Sequence, residues 1–124
     1  SAFYPFFYGY ADETGQGDGA GANLNLPLPM GSGTDAVLRA LDQAFGALGA
    51  WGADTLVVAL GLDAHEADPF QALQVSTEGF AQIGAAVSAQ GLPTVCVQEG
   101  GYVSEALSDA LTSFLTGIQS ARSL

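Results

Sequence analysis

Apolar positions recur along the chain with two periods, one helical and one extended. Val37, Leu38, Leu41, Phe45 and Leu48 follow a 3.6-residue spacing behind Thr34, an expected N-cap, and Asp35, so a helix is predicted at about 34–50. A second helix is expected from a cap at Ser76 or Thr77 to about Gln90, with Phe80, Ile83 and Val87 inward and Gly91-Leu92-Pro93 ending it. A third runs from a cap at Ser104 to about Ser120 on the face Leu107, Ala110, Leu111, Phe114 and Ile118. Thr55–Leu60 and Thr94–Val97 are unbroken apolar runs of strand length, the pattern of strands buried on both faces of a parallel sheet. Asn23-Leu24-Asn25-Leu26-Pro27-Leu28-Pro29 alternates with a period of two and predicts a short strand that its prolines confine to an edge. Gly31-Ser32-Gly33 reads as a turn and Asp63 to Ser76 as loop. The resulting order, β-α-β-α-β-α, implies an α/β fold with a parallel sheet and right-handed crossovers. Three strands are only part of such a sheet.

Composition narrows the function classes. With 124 residues, 48% of them hydrophobic, the chain can bury one core, so one domain or a piece of one is expected. The opening Ser1–Tyr10 crowds aromatics around Pro5 without the charge order of a signal peptide, and it reads as cut from something longer. No apolar run approaches the ~18 residues needed to cross a bilayer, so no membrane partner is expected. Cys96 is the single cysteine, which excludes an intrachain disulfide and makes the cytoplasm the expected location. Arg39 and Arg122 are the only fixed cations against 13 acidic residues, a formal charge of −11. Nucleic-acid binding, which rests on Lys and Arg neutralising phosphates, is therefore excluded. An acidic surface either keeps the protein in solution or concentrates a cationic substrate.

The candidate chemistry lies in two loops. Asp63 in Gly61-Leu62-Asp63-Ala64-His65-Glu66-Ala67-Asp68-Pro69 and Tyr102 in Gln98-Glu99-Gly100-Gly101-Tyr102 each follow the carboxyl end of a predicted strand, where open α/β sheets hold ligands. A carboxylate is a hard-oxygen metal ligand, and a phenol on a Gly-Gly hinge can reach a developing oxyanion. The plainer alternatives are a turn carboxylate at Asp63, a packing histidine at His65 and a turn at Asp68-Pro69. Cys96, inside a strand expected to be buried, is a poor nucleophile candidate. Gly15-Gln16-Gly17-Asp18-Gly19-Ala20-Gly21 is not a phosphate loop, because it runs into a proline-limited strand rather than opening a helix. A hydrolytic zinc site needs three protein ligands and an open position, which this chain does not assemble alone.

Together with Tyr4-Pro5-Phe6-Phe7-Tyr8-Gly9, Gly15-Gln16-Gly17-Asp18-Gly19 and Asn23–Pro29, these two loops resemble the carboxyl-terminal part of a histone deacetylase-like amidohydrolase, in the branch that includes acetylpolyamine amidohydrolases. The likeness spans nearly the whole chain. It implies an arginase/deacetylase-like three-layer fold in which residues 1–124 form the C-terminal part of a single catalytic domain, and it allows a homo-oligomer. It also implies a zinc (Zn2+) cofactor and an acetylated amine as substrate, either acetyl-lysine or an acetylpolyamine. By the same likeness Asp63 is the third zinc ligand, Tyr102 the oxyanion donor, and Gly100, Gly101 and Phe70 parts of the substrate tunnel. The family's Asp-x-His ligand pair and tandem histidines have no equivalent in this chain, so the chain alone is expected to be inactive and to expose a raw sheet edge. Where polyamine-selective animal relatives carry an acid after Asp-Pro, this chain carries Phe70, which by that likeness weakens a polyamine preference; Glu66 and Glu99 read either as substitute acids or as ordinary solvated loop carboxylates. Two competing readings are a non-catalytic acidic α/β module that binds a cationic partner and an arginase-like dimanganese hydrolase, the latter expected to show paired metal-loop aspartates and no Gly-Gly-Tyr.

Overall fold

Parallel strand pairing is the frame on which the rest is hung. The computed structural model describes residues 6–122, and its chain forms two compact units, Ser1–Met30 and Gly31–Leu124. In the second, the elements in order are β1 (Ser32–Gly33), α1 (Thr34–Trp51), β2 (Leu56–Leu60), a 3-10 turn (Leu62–Ala64), β3 (Leu73–Gln74), α2 (Thr77–Ser88), β4 (Thr94–Gln98) and α3 (Leu107–Arg122). β2 pairs with β4 in parallel, Leu56 opposite Thr94 through Leu60 opposite Gln98, and α2 makes the crossover between them. β1 and β3 form a second parallel pair, Ser32 opposite Leu73. The α/β class with parallel strands is as expected.

The core is built where α2 and α3 meet the end of β2. Leu60, Leu62, Val75, Phe80, Val87, Ala110 and Phe114 are buried together, with Ile83, Leu107, Leu111 and Ile118 packed against them. Gly84 and Gly117 let the two helices touch: a Cβ on either would overlap a carbonyl oxygen of the facing helix, Phe114 O or Ala81 O. Ser113 Oγ donates to Thr77 O (2.6 Å) and Ser88 Oγ to Ile118 O (2.9 Å), fixing the register of that contact. Ser76 caps α2 as expected, its Oγ accepting from Gly79 N at 3.0 Å.

Several local expectations are corrected. Thr34 is not the cap of α1; Gly33 holds that position, and Thr34 Oγ1 instead accepts from Ser76 N (3.2 Å), tying two helix starts together. Asn23–Pro29 forms no strand. Its asparagines bond the chain of their own unit, Asn25 Nδ2 donating to Tyr10 O (2.9 Å) and Asn23 Nδ2 to Glu13 O, while Pro27 and Pro29 have no N–H for a ladder. The glycine tract forms a 3-10 turn at Gly17–Gly19. The expected loop before α2 contains the Leu62–Ala64 turn and β3. Of β2, Leu56 and Leu60 are buried but Val57 is 74% exposed, and in β4 Val95, Cys96 and Val97 are exposed, so among the described residues neither strand is covered on both faces and Cys96 stands exposed rather than buried. Tyr4 and Pro5 of the aromatic opening lie outside the described residues. No helix among the described residues is long and apolar enough to cross a membrane.

Candidate active site

Because Leu60 and Gln98 are register partners, the two loops leave the sheet at the same level and the same end. Pairing continues beyond the strands: Glu99 N donates to Leu60 O (3.0 Å) and Leu62 N to Gly100 O (2.9 Å). Asp63 sits in the middle of the 3-10 turn that follows, half-buried, with its carboxylate laid against Gly100. A Cβ at Gly100 would stand 2.6 Å from Asp63 Oδ2 and closer still to Oδ1 and Cγ; one at Gly61 would stand 2.6 Å from Oδ1. A side chain at either glycine would therefore displace the carboxylate from where it stands. Among the described residues none hydrogen-bonds that carboxylate, which leaves its lone pairs uncommitted.

The neighbouring ionisable groups are committed. His65, 5% exposed, accepts from Ala67 N at Nδ1 (3.0 Å), so its ring proton lies on Nε2 and donates to Thr77 Oγ1 (3.0 Å), and the ring stacks over Phe80 with centroids 6.0 Å apart. It is the packing histidine of the plainer reading. Asp68, 2% exposed, accepts from Phe70 N at Oδ1 (2.9 Å), the turn expected of Asp-Pro. Its Oδ2 also accepts from Tyr102 N (3.4 Å), a bond between the two loops that sequence reading missed, since no local signal links residues 34 apart.

Tyr102 and Phe70 stand together at the exposed rim. Their rings meet edge to face, centroids 4.8 Å apart at 72°, and each is about half exposed. Gly101 has φ +136°, a conformation that favours glycine, and a Cβ there would run into Leu107 and Leu62. Glu66 and Glu99 are exposed. The sequence candidates thus gather as two contacts at one sheet end, Asp63 with Gly100 and Phe70 with Tyr102. Among the described residues no three His, Cys, Asp or Glu side chains form a metal-holding group. Asp63 fits the part of one oxygen donor; His65 and Asp68, spent on backbone and hydroxyl partners, do not extend the set.

The family model of the histone deacetylase domain matches residues 1–118. Acetylpolyamine amidohydrolase 1 of Pseudomonas aeruginosa is 39% identical over 118 residues, covering 95% of this chain and 34% of that protein. The acetylpolyamine amidohydrolase of Burkholderia pseudomallei is 42% identical over 120 residues, and the crystal structure of acetylpolyamine aminohydrolase from that organism superimposes with a TM-score of 0.91 over 97% of this chain and 35% of its own. A histone deacetylase homologue solved in complex with SAHA is 27% identical, with a TM-score of 0.75 over 93% of this chain and 30% of its own. The chain spans about a third of the length of the relatives it matches.

Proposed function

Since the chain belongs to the histone deacetylase domain family, we propose that the protein carrying it is a zinc-dependent amidohydrolase that removes acetyl groups from amines, and that Ser1–Leu124 is the C-terminal part of its catalytic domain. The observation that carries this reading is the convergence of the uncommitted Asp63 carboxylate, seated on Gly100, with the Tyr102 loop at one end of the β2–β4 pair. Asp63 would hold zinc as one ligand, with further donors from residues outside these 124. A bound zinc ion supplies a polarised amide carbonyl and a water of lowered pKa.

The chain's own residues supply the oxyanion donor and part of the substrate wall, and the base for the attacking water comes from outside these 124 residues. Tyr102, on a glycine hinge at the rim, donates its phenolic O–H to the amide oxygen as that oxygen gains charge, which lowers the barrier without a net proton transfer. Phe70 packs on the Tyr102 ring and offers an apolar wall to the acyl and methylene parts of the substrate. An acetylated polyamine is the favoured substrate: it keeps ammonium groups beyond the acyl nitrogen, and a chain of formal charge −11 attracts them. The relatives named from Pseudomonas aeruginosa and Burkholderia pseudomallei are acetylpolyamine amidohydrolases, which agrees with that choice.

The test is Tyr102→Phe in the full-length protein that carries this chain. Loss of one oxyanion donor predicts a fall in kcat of about 10²–10³ with zinc stoichiometry retained. Unchanged turnover removes the role. A full-length protein without zinc that binds polyamines in a salt-sensitive manner would instead favour the non-catalytic module.

A further inference from the structure

We propose that Asp68 is a positioning residue that couples the Phe70 wall to the Tyr102 phenol; this rests on the catalytic reading of Tyr102 above. Burying a carboxylate to 2% exposure is costly unless its oxygens are satisfied, and Asp68 satisfies one oxygen on each loop. Oδ1 takes the Phe70 amide at 2.9 Å and Oδ2 the Tyr102 amide at 3.4 Å. These are the two residues whose rings meet edge to face. One carboxylate therefore fixes both backbones under that ring pair. The device suits its place, because Gly101 at φ +136° would otherwise leave the Tyr102 backbone on a loose hinge. Leu62 N on Gly100 O ties the near side of that hinge, and Asp68 ties the far side.

A turn alone does not explain the residue. An Asp-Pro turn uses one side-chain oxygen, and asparagine serves it equally well. The second acceptor, aimed at Tyr102 N, is what only a carboxylate provides without turning an N–H2 group toward an N–H.

Asp68→Asn in the full-length protein separates these functions, since it keeps the volume and the turn acceptor but removes the acceptor for Tyr102. The expected result is a fall in kcat of about tenfold or more, with KM and zinc content within twofold of the unaltered protein. In a Tyr102→Phe background the same substitution should cost little further, because the group being positioned is gone. An equal loss in both backgrounds, a KM effect without a kcat effect, or no effect overturns the proposal. If Tyr102→Phe turns over normally, the catalytic reading falls and this proposal with it; if only Asp68→Asn is silent, the catalytic reading stands. Should Asp68→Asn fail to fold, hydrogen exchange in the unaltered protein decides. The Tyr102 amide is expected to be protected relative to Val103, and exchange at the rate of an open loop overturns the bond.

Discussion

Replacing Gly100 with alanine isolates the contact between the two loops. The backbone at Gly100 is not in the left-handed region, so a methyl group there meets no conformational strain. What it meets is Asp63. A Cβ would lie 2.6 Å from Oδ2 and nearer to Oδ1 and Cγ, whereas ordinary contact begins at 3.4 Å. The carboxylate must therefore retreat by roughly 1 Å, several times the tolerance of about 0.2 Å on a metal–ligand distance. Misplacement by that amount is worth about 10²-fold in rate, or ~2.7 kcal/mol of barrier. Stability should barely change, since Asp63 is half-buried and accepts no hydrogen bond from the described residues. The assay is kcat/KM on an acetylated polyamine, together with zinc content by elemental analysis and the melting temperature. Gly100→Ala with full zinc and undiminished kcat/KM would show that the Asp63 carboxylate is not a working part. A collapse of the melting temperature would instead make Gly100 a folding residue.

The remaining predictions concern stability and use denaturant unfolding of the full chain. Gly84→Ala drives a methyl group onto Phe114 O and toward Ile118 N, and backbone atoms cannot step aside; a loss of about 1–3 kcal/mol is expected despite alanine's better helix propensity. Gly46→Ala in α1 meets nothing within 4 Å, so it should stabilise by about 0.5–1 kcal/mol. Ser76→Ala removes the acceptor for Gly79 N and should cost about 1 kcal/mol.

The part of the fold with a local cause was legible before the structure. The periodic face of Val37, Leu41 and Phe45 predicts a helix at 34–50, and the helix runs Thr34–Trp51, ended by Gly52 at φ 85°. The Ser76 cap and the strands at 55–60 and 94–97 are likewise local, and they stand where expected to within a residue or two. Burial was not legible. An unbroken run such as Leu56–Leu60 says that both faces suit apolar surroundings, but not which neighbour supplies them. In a chain that spans about a third of its relatives' length, Val57, Val95 and Val97 find no cover among the described residues. The alternation at Asn23–Pro29 misled for the opposite reason: asparagine amides satisfied backbone carbonyls of the same unit, and that competition leaves no mark on hydrophobic period.

For the site the division is sharper. The placement of Asp63 and Tyr102 at one sheet end was legible because a residue just past a strand end is placed by the strand, and two parallel neighbours deliver their loops to one rim. Gly100 carries the same information in negative form, since the missing side chain is the space that the carboxylate fills. Asp68 was half legible: its turn with Phe70 is written in the Asp-Pro pair, but its bond to Tyr102 depends on a register that only the folded sheet sets. His65 shows the converse error to avoid. A lone histidine two residues from a metal-ligand candidate invites a role, yet Ala67 N and Thr77 Oγ1 occupy both ring nitrogens and Phe80 supports the ring, so its contribution is to hold the loop that carries Asp63. Side chains that stay uncommitted at a strand end, rather than those of the most reactive type, are the ones that mark this candidate site.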